Sequence, residues 1–192
     1  MLRIIPVRFE VKLLRLNKRQ LVLIKFGLGL LFFGAIAEQI TMYLLHANGY
    51  FIAFNRTTSL PQYFWLVNTN STTNFVKNEY FSFYAPEDKM LTEGESTPLV
   101  KIVAGIPGDK VTINKSTLLI NNKVMGHIWP KTMNGHKLAP ITSQTISRGC
   151  YFAWTPALYS YDSRYKDVGI VCESQNRIIG SAKRCRYQNA QG

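Results

Sequence analysis

Residues 21–37 form an almost unbroken apolar run, and this run constrains the chain more than any other feature of its sequence. It contains one charged residue, Lys25, and it ends before Glu38. About 20 apolar residues span the hydrocarbon core of a membrane. Lys25 lies near the start of the run, where a lysine can extend its ammonium group to the lipid headgroups. We therefore predict a membrane-spanning helix at residues 21–45.

Two alternatives compete with a retained anchor. The first is a cleaved signal peptide, because Ala35-Ile36-Ala37 has the small-x-small pattern of a cleavage site. We favour an anchor because the apolar helical pattern continues through residues 40–45. The second alternative, a buried helix of a soluble protein, fits poorly with the dense positive charge directly upstream.

Positive charge is concentrated before the apolar run. The chain carries 23 Lys and Arg against 11 Asp and Glu, a formal net charge of +12. Residues 1–25 account for +6 of this charge, and the other +6 lies in the remaining 167 residues. Basic residues beside a membrane span stay in the cytoplasm. We therefore predict a basic cytoplasmic segment at residues 1–20 and an outer domain at residues 46–192, and no nucleic acid is needed to explain the charge.

After residue 50 the sequence consists of short β-type segments separated by turn residues. The predicted strands cover residues 50–54, 64–67, 80–84, 99–104, 110–113, 117–120, 123–125, 142–146, 150–153, 169–172 and 177–182. Asn121-Asn122 predicts a tight hairpin, because Asn tolerates the positive φ of a two-residue turn. Surface loops are expected at residues 68–78 and 87–98. We expect a mainly β domain with mixed sheets or a partly closed barrel, preceded by one transmembrane helix.

The cysteines and histidines do not form a recognisable metal or catalytic motif. Cys150, Cys172 and Cys185 lack the C-x-x-C spacing of a zinc site. In an exported domain two of them can oxidise, and we expect Cys172 with Cys185 because they bracket a predicted strand pair. A Ser-His-Asp hydrolase has no support, since the G-x-S-x-G elbow is missing. We expect neither a metal nor a cofactor.

Three segments of the outer domain carry residues suited to chemistry. They are N-R-T-T-S-L-P at residues 55–61, K-I-V-A-G-I-P-G-D at residues 101–109, and S-Y-D-S-R at residues 160–164, which follows G-C-Y-F at residues 149–152. Each segment is weak support alone, and the ordered set is much stronger.

In this order the segments resemble the motifs of the type I signal peptidase family, serine proteases that use a Ser-Lys dyad. The resemblance covers roughly residues 50–182. It implies that Ser59 is the nucleophile and that Lys101 is its general base. A serine hydroxyl needs a base to accept its proton, and lysine can act as this base only when it is neutral.

The setting of Lys101 fits such a role. Burial is the usual means of lowering a lysine pKa from its ordinary value of ~10.4. In the predicted strand, alternation places Leu99 and Val103 on the same face as Lys101. Val100 and Ile102 then cover the other face. A lysine in so apolar a strand either reaches water at an edge or has a function, and the Gly-rich turn that follows favours a function.

The resemblance also implies supporting residues. The hydroxyl of Thr57 would join the backbone N–H of Ser59 in an oxyanion hole. Ser160 would hydrogen-bond the Lys101 amine and orient it. Asp162 and Arg164 would form an ion pair that braces the site without entering the chemistry.

Within the family, the N-x-T-x-S-L-P segment resembles the conjugative-transfer branch, whose members mature pilin subunits and in some systems join the pilin ends into a ring. Trp154-Thr155-Pro156 lies where general signal peptidases typically carry G-D-N. The sequence departs from the branch at Gln62, where Gly is common after the Pro. The resemblance implies a single-pass endopeptidase of the bacterial inner membrane, with its catalytic domain in the periplasm and a pilin or similar exported precursor as its protein substrate.

Two other functions remain open from the sequence. One is a general signal peptidase that cleaves secretory signal peptides. The other, from a different class, is a non-catalytic assembly factor of a transfer apparatus that binds acidic partners or DNA. The residues do not distinguish hydrolysis from cyclisation, and they do not indicate an oligomeric state.

Overall fold

The computed structural model of the protein describes residues 17–55, 59–85, 98–132 and 135–185. The chain divides into two compact units, Met1–Leu44 and Leu45–Gly192. The first unit contains most of one long helix. The second contains every strand that the structure describes.

Helix α1, Lys18–Ala47, is the apolar segment at the N-terminus. It has 30 residues, none of which is buried. Asn17 and Gln20 cap its first turn reciprocally, because each side chain accepts a hydrogen bond from the other residue's backbone N–H, at 2.8 and 2.9 Å. The helix is long and apolar enough to cross a membrane. A signal sequence would meet the same criteria of length and composition. The expected N-terminal apolar helix is therefore present, and its role as an anchor stays a prediction.

The second unit is built from short strands. In chain order the described strands are β1 (Tyr50–Phe54), β2 (Phe64–Asn68), β3 (Tyr80–Tyr84), β4 (Pro98–Gly105), β5 (Lys110–Asn114), β6 (Thr117–Ile120), β7 (Lys123–His127), β8 (Gln144–Thr145), β9 (Cys150–Trp154), β10 (Val171–Cys172) and β11 (Ile178–Arg184). A 3₁₀ turn at Glu173–Gln175 separates the last two.

These strands form two sheets. The larger sheet has the order β1-β2-β11-β3-β4-β9-β10, and the smaller has the order β7-β6-β5-β8. The prediction of a mainly β domain is confirmed. Among the described strands every pair is antiparallel, and neither sheet closes into a barrel, so the expected mixture of strand directions is not seen. Short connections such as the hairpin between β6 and β7 can join only antiparallel neighbours.

Local turn chemistry and close packing explain two features of the sheets. Asn121 and Asn122 form the predicted hairpin, with φ of 49° and 64°. Strand β11 lies between β2 and β3, and a Cβ atom at Gly180 would collide with the Asn68 carbonyl oxygen. Glycine therefore allows β11 to approach β2 at this point.

Alternation along β4 separates the two faces of the larger sheet. Leu99 and Val103 pack with a cluster around Phe81, as the sequence predicts. Val100 and Ile102 pack on the opposite face, in the cluster that contains Trp65 and Leu60. A third cluster lies beneath the smaller sheet. Lys101 therefore points toward the Phe81 side of the sheet, which is closely packed.

Several strand limits differ from the prediction. Strand β8 covers two residues where five are predicted, whereas β7 and β11 extend two residues further than expected. The predicted loop at 87–98 lies outside the described residues except for Pro98, with which β4 begins.

A disulfide joins Cys150 to Cys172. The expected pairing of Cys172 with Cys185 is therefore wrong. Cys150 lies directly opposite Cys172 in the register of β9 and β10. Cys185 follows the end of β11, and its thiol is exposed. The prediction failed because it assumed that the strand of Cys172 pairs with β11, whereas β10 pairs with β9.

This pairing predicts one accessible thiol in the oxidised protein. We expect a maleimide to label each chain once, and Cys185→Ser to abolish the labelling. The disulfide closes a loop with a sequence separation of 22 residues, so a Cys150→Ser/Cys172→Ser variant should lose about 3 kcal/mol of unfolding free energy. Denaturant unfolding without reductant measures this loss. Persistence of the label in Cys185→Ser would contradict the assignment.

Candidate active site

The loop between β1 and β2 carries Ser59. Asn55 directly follows β1, and its side-chain amide donates hydrogen bonds to the carbonyl oxygens of Leu60, at 3.1 Å, and Gln62, at 3.4 Å. The backbone N–H of Asn55 also donates to the Tyr63 carbonyl oxygen, at 2.8 Å. Leu60 is buried among the side chains of the larger sheet. These contacts hold Leu60, Gln62 and Tyr63 against the residue that follows β1, and Ser59 itself is half-buried.

Lys101 lies near the middle of β4, opposite Phe81 in the register of β3. Its side chain is only 4% exposed. The Nζ atom lies 2.9 Å from the Ser160 Oγ atom and 3.4 Å from the Ser59 Oγ atom. The first is a normal hydrogen-bond distance, and the second is at the long end of the range. The amine therefore sits between two serine hydroxyls.

Burial lowers the pKa of Lys101 from 10.5 to about 8. Desolvation is the largest cause, because it penalises the charged ammonium form. The nearby carboxylate of Asp162 raises the pKa, and the positive charge of Arg164 lowers it. A fraction of the lysine is thus neutral near neutral pH, and a neutral amine can accept a proton.

A buried ion pair joins Asp162 and Arg164, which follow Ser160 in the same loop. Arg164 donates from Nε and Nη2 to the two carboxylate oxygens of Asp162, each at 2.8 Å. Both side chains are almost completely buried. The same Arg164 Nη2 atom donates to the carbonyl oxygens of Thr155, at 3.1 Å, and Ala157, at 3.0 Å. The ion pair therefore holds the backbone on either side of Pro156 and, through it, the loop that presents Ser160.

The loop is also fastened to the larger sheet. Ser163 accepts a hydrogen bond from the backbone N–H of Ala153 through Oγ, at 3.0 Å, and donates its own N–H to the Ala153 carbonyl oxygen, at 2.9 Å. Because β9 pairs with β4, these two bonds fix the position of Ser160 relative to Lys101.

The carboxylate of Asp109 stabilises the turn after β4. The Asp109 carboxylate accepts hydrogen bonds from the Ile106 N–H, at 2.9 Å, from the Asn121 side chain, at 2.6 Å, and from Lys77. Burial alone would raise the pKa of Asp109, and these three donors together lower it. Gly108 in the turn has φ of 90°, a value that favours glycine. The G-I-P-G-D segment is thus a structural turn that ends the strand of Lys101.

Most of the residues chosen from sequence come together here. Ser59, Lys101, Ser160, Asp162 and Arg164 form one connected cluster. The predicted oxyanion residue, at position 57, lies outside the described residues.

Sequence reasoning missed the bracing roles of Asn55 and Ser163. Asn55 belongs to the N-x-T-x-S segment, and its position at a strand end was the available signal. Ser163 belongs to the S-Y-D-S-R segment, but its partner Ala153 lies on a different element, so no local pattern indicated this contact. No group of three metal-binding side chains occurs among the described residues.

A comparison with protein families decides the assignment. The signal peptidase family, peptidase S26, matches this chain over residues 24–187. The chain belongs to the signal peptidase family. Its members are serine peptidases, so the chain is a type I signal-peptidase-like serine protease with protein substrates.

A crystal structure of a signal peptidase I from Enterococcus faecalis aligns with a TM-score of 0.36 and 20% sequence identity, covering 58% of this chain and 98% of that one. No curated protein sequence matches this chain.

Replacing Lys101 by Met tests whether burial of the ammonium group is costly. Below pH 8 the lysine is protonated in both the folded and the unfolded chain, so the folded state bears the full desolvation penalty. Between pH 8 and 10.5 Lys101 loses its proton in the folded chain but keeps it in the unfolded chain. The free energy of unfolding of the wild type therefore rises with pH over this range. We expect Lys101→Met to raise the unfolding free energy at pH 7 by up to about 3 kcal/mol. The difference in unfolding free energy between Lys101→Met and the wild type should shrink above pH 8.

Denaturant unfolding at pH 7 and pH 10 measures this effect. Lys166→Met is the matched control, because Lys166 is exposed, and its stability should change little at either pH. A Lys101→Met variant that is less stable than the wild type at pH 7 would contradict the argument.

Proposed function

We propose that this protein is a membrane-anchored endopeptidase in which Ser59 attacks the peptide bond and Lys101 accepts its proton. The observation that carries the proposal is the buried Lys101 amine, 3.4 Å from the Ser59 hydroxyl and 2.9 Å from the Ser160 hydroxyl. Its pKa of about 8 supports the proposal, because a base with a pKa near the working pH is the most effective.

In the first step the neutral Lys101 amine takes the Ser59 proton as the serine oxygen bonds to the substrate carbonyl carbon. Ser160 holds the amine from the other side, which limits the directions in which its lone pair can point. The protonated lysine then gives the proton to the leaving amine of the substrate. The products of this step are a released peptide and an ester between Ser59 and the remaining acyl group.

Negative charge develops on the substrate carbonyl oxygen during the attack. Backbone and hydroxyl donors aimed at this oxygen lower the barrier. We propose the backbone N–H of Ser59 and the hydroxyl of Thr57 as these donors. Asp162 and Arg164 support the site through the Ser160 loop and do not touch the reacting atoms.

The acyl-enzyme has two outcomes. Water can hydrolyse the ester and give a linear product. Alternatively, the N-terminal amine of the substrate can attack the ester and close a ring, since the ester retains the free energy of the cleaved peptide bond. The proposed substrate is a conjugative pilin or similar exported precursor, and the N-x-T-x-S-L-P segment at residues 55–61 supports this choice.

The orientation belongs to the same proposal. The basic N-terminal segment favours a cytoplasmic N-terminus, and the peptidase domain would then face the periplasm of a bacterial inner membrane. Residues 21–45 would be the single membrane span and residues 46–192 the peptidase domain. A substrate held in the same membrane would reach Ser59 after its own export.

Ser59→Ala and Lys101→Met should each reduce precursor processing by about a thousandfold or more, because each removes one half of the dyad. The measurement is conversion of a radiolabelled precursor by the full-length protein in membranes. In the wild type, the rate should rise with pH and level off above an apparent pKa near 8. Ser147→Ala and Lys166→Met alter exposed residues and serve as controls.

Full activity in either dyad variant would refute the assignment. A non-catalytic assembly factor would show no processing even in the wild type. It would also leave Ser59 unlabelled by a serine-reactive acylating probe.

Mass spectrometry of the mature substrate distinguishes the proposed outcomes. A linear product has the mass of the cleaved chain, and a ring is lighter by one water. We expect a pilin precursor to be processed and an unrelated secretory preprotein to be left uncut. Equal processing of both would replace the pilin assignment with a general signal peptidase.

A further inference from the structure

Two aromatic side chains stack on each other beside the loop that presents Ser160. The ring centroids of Trp129 and Tyr159 are 5.3 Å apart, and the ring planes are 28° from parallel. Tyr159 directly precedes Ser160, whose hydroxyl lies 2.9 Å from the Lys101 amine. The stacked pair therefore lies at the border of the candidate active site.

One guanidinium group holds the two segments that carry these rings. Arg164 donates from Nη1 to the His127 carbonyl oxygen, at 3.4 Å, and from Nη2 to the Ala157 carbonyl oxygen, at 3.0 Å. His127 and Ala157 each lie two residues before one ring of the pair. The backbone N–H of Trp129 also donates to the Tyr165 hydroxyl, at 3.4 Å. The pair is thus held in place by the fold, and a surface that is already ordered loses less entropy when it binds a ligand.

The stacked rings are only partly covered by the protein. Tyr159 is 54% exposed, and its neighbour Leu158 is 63% exposed. Trp129 is half-buried, and the exposed His127 ring packs against it with centroids 4.5 Å apart. Single exposed apolar residues are common on protein surfaces, whereas grouped aromatic rings in a fixed position are typical of binding surfaces. We name His127, Trp129, Leu158 and Tyr159 the aromatic platform.

Positive charge lies next to the aromatic platform. Residues 110–148 contain six Lys and Arg and no Asp or Glu. Lys115 lies in the turn between β5 and β6, whose next residue accepts a hydrogen bond, at 2.8 Å, from the residue before Trp129. Lys131 and Lys137 pair in an isolated bridge that starts two residues after Trp129. All three lysines are exposed, and none forms an ion pair with another described residue.

We propose that the aromatic platform binds the part of the protein substrate on the leaving-group side of the scissile bond, and that it selects an apolar residue followed by acidic ones. The inference rests on the proposed function. There, Ser59 bonds to the acyl carbon, and Lys101 gives its proton to the leaving amine. The leaving segment therefore begins beside the Lys101 amine, which Ser160 contacts from the side away from Ser59.

The order of the groups along this path sets the expected selection. From the amine outward, the protein presents Tyr159 first, then Trp129, and then the exposed lysines. An apolar side chain near the start of the leaving segment would remove its surface from water against the rings. Carboxylates that follow it would face Lys115, Lys131 and Lys137.

Two precursors test this selection with the full-length protein in membranes. They share one acyl-side sequence and differ directly after the scissile bond, where one has A-F-E-E and the other A-S-K-K. We expect the wild type to process the first with a kcat/KM about tenfold higher or more. Tyr159→Ala should reduce this ratio to less than about threefold, and Tyr159→Phe, which keeps the ring, should retain it. Val76→Ala trims a side chain that is 56% exposed in a different loop and should leave the ratio unchanged.

A pair of charge variants tests the contribution of the lysines. Lys131→Gln/Lys137→Gln should lower the ratio about threefold, as expected for exposed charges at the edge of a binding surface. Lys166→Gln/Lys183→Gln removes the same charge from exposed positions outside this region and should not alter the ratio. If Tyr159 serves only to position Ser160, Tyr159→Ala will slow both precursors equally and leave the ratio as it is. That result would overturn the proposal.

A binding measurement separates this inference from the proposed chemistry. The full-length Ser59→Ala protein is titrated against fluorescent A-F-E-E and A-S-K-K peptides, which have no scissile bond, and anisotropy gives each Kd. We expect the first peptide to bind at least about fivefold more tightly, and Tyr159→Ala in the same background to remove the difference. If the wild type cleaves neither precursor, the proposed function is wrong, and this binding difference still tests the aromatic platform.

Equal binding of the two peptides would contradict the inference. So would tighter binding of a single-stranded oligodeoxythymidine than of A-F-E-E, because stacked rings with nearby lysines also suit nucleic-acid bases. If Tyr159→Ala does not fold, the lysine variants and the two peptides on the Ser59→Ala protein still decide the question.

Discussion

The burial of the Lys101 amine is the constraint on which the rest of the site depends. A lysine inside a β-sheet is unfavourable unless its charge is neutralised or its donors are satisfied. Here the strand that carries it is central, with β3 on one side and β9 on the other, so the side chain cannot reach water along an edge. The sheet thus maintains the desolvation that lowers the pKa, and the Ser160 hydroxyl supplies one hydrogen bond at 2.9 Å.

The Asp162–Arg164 ion pair places Ser160 beside that amine. Replacing a buried ion pair by apolar side chains often costs nothing, so its value here lies in what else the guanidinium binds. Arg164 reaches the carbonyl oxygens of Thr155 and Ala157, which an apolar residue would leave unsatisfied. The pair therefore converts an irregular loop, which lacks sheet hydrogen bonds of its own, into a fixed support for one hydroxyl group.

The sequence predicts the local features of this protein better than the distant ones. The apolar helix, the Asn121-Asn122 turn and the faces of β4 follow from periodicity and turn chemistry, which act over a few residues. The disulfide required knowledge that β10 pairs with β9, and the sequence carries no signal for that pairing. The grouping of Ser59, Lys101 and Ser160 is also non-local, and it was accessible only because three ordered motifs resemble those of a known family.

The proposed nucleophile and the proposed base differ in their exposure, and this difference bears on how the site can work. Lys101 is almost completely buried, whereas Ser59 is half-buried in a loop held by Asn55 and Leu60. A peptide can therefore approach the serine from the solvent side while the amine remains shielded. The proposed proton transfer would then take place at the boundary between the packed sheet and the substrate. In such a site, a bound substrate would remove remaining water from the amine, so binding itself would strengthen the base's preference for its neutral form.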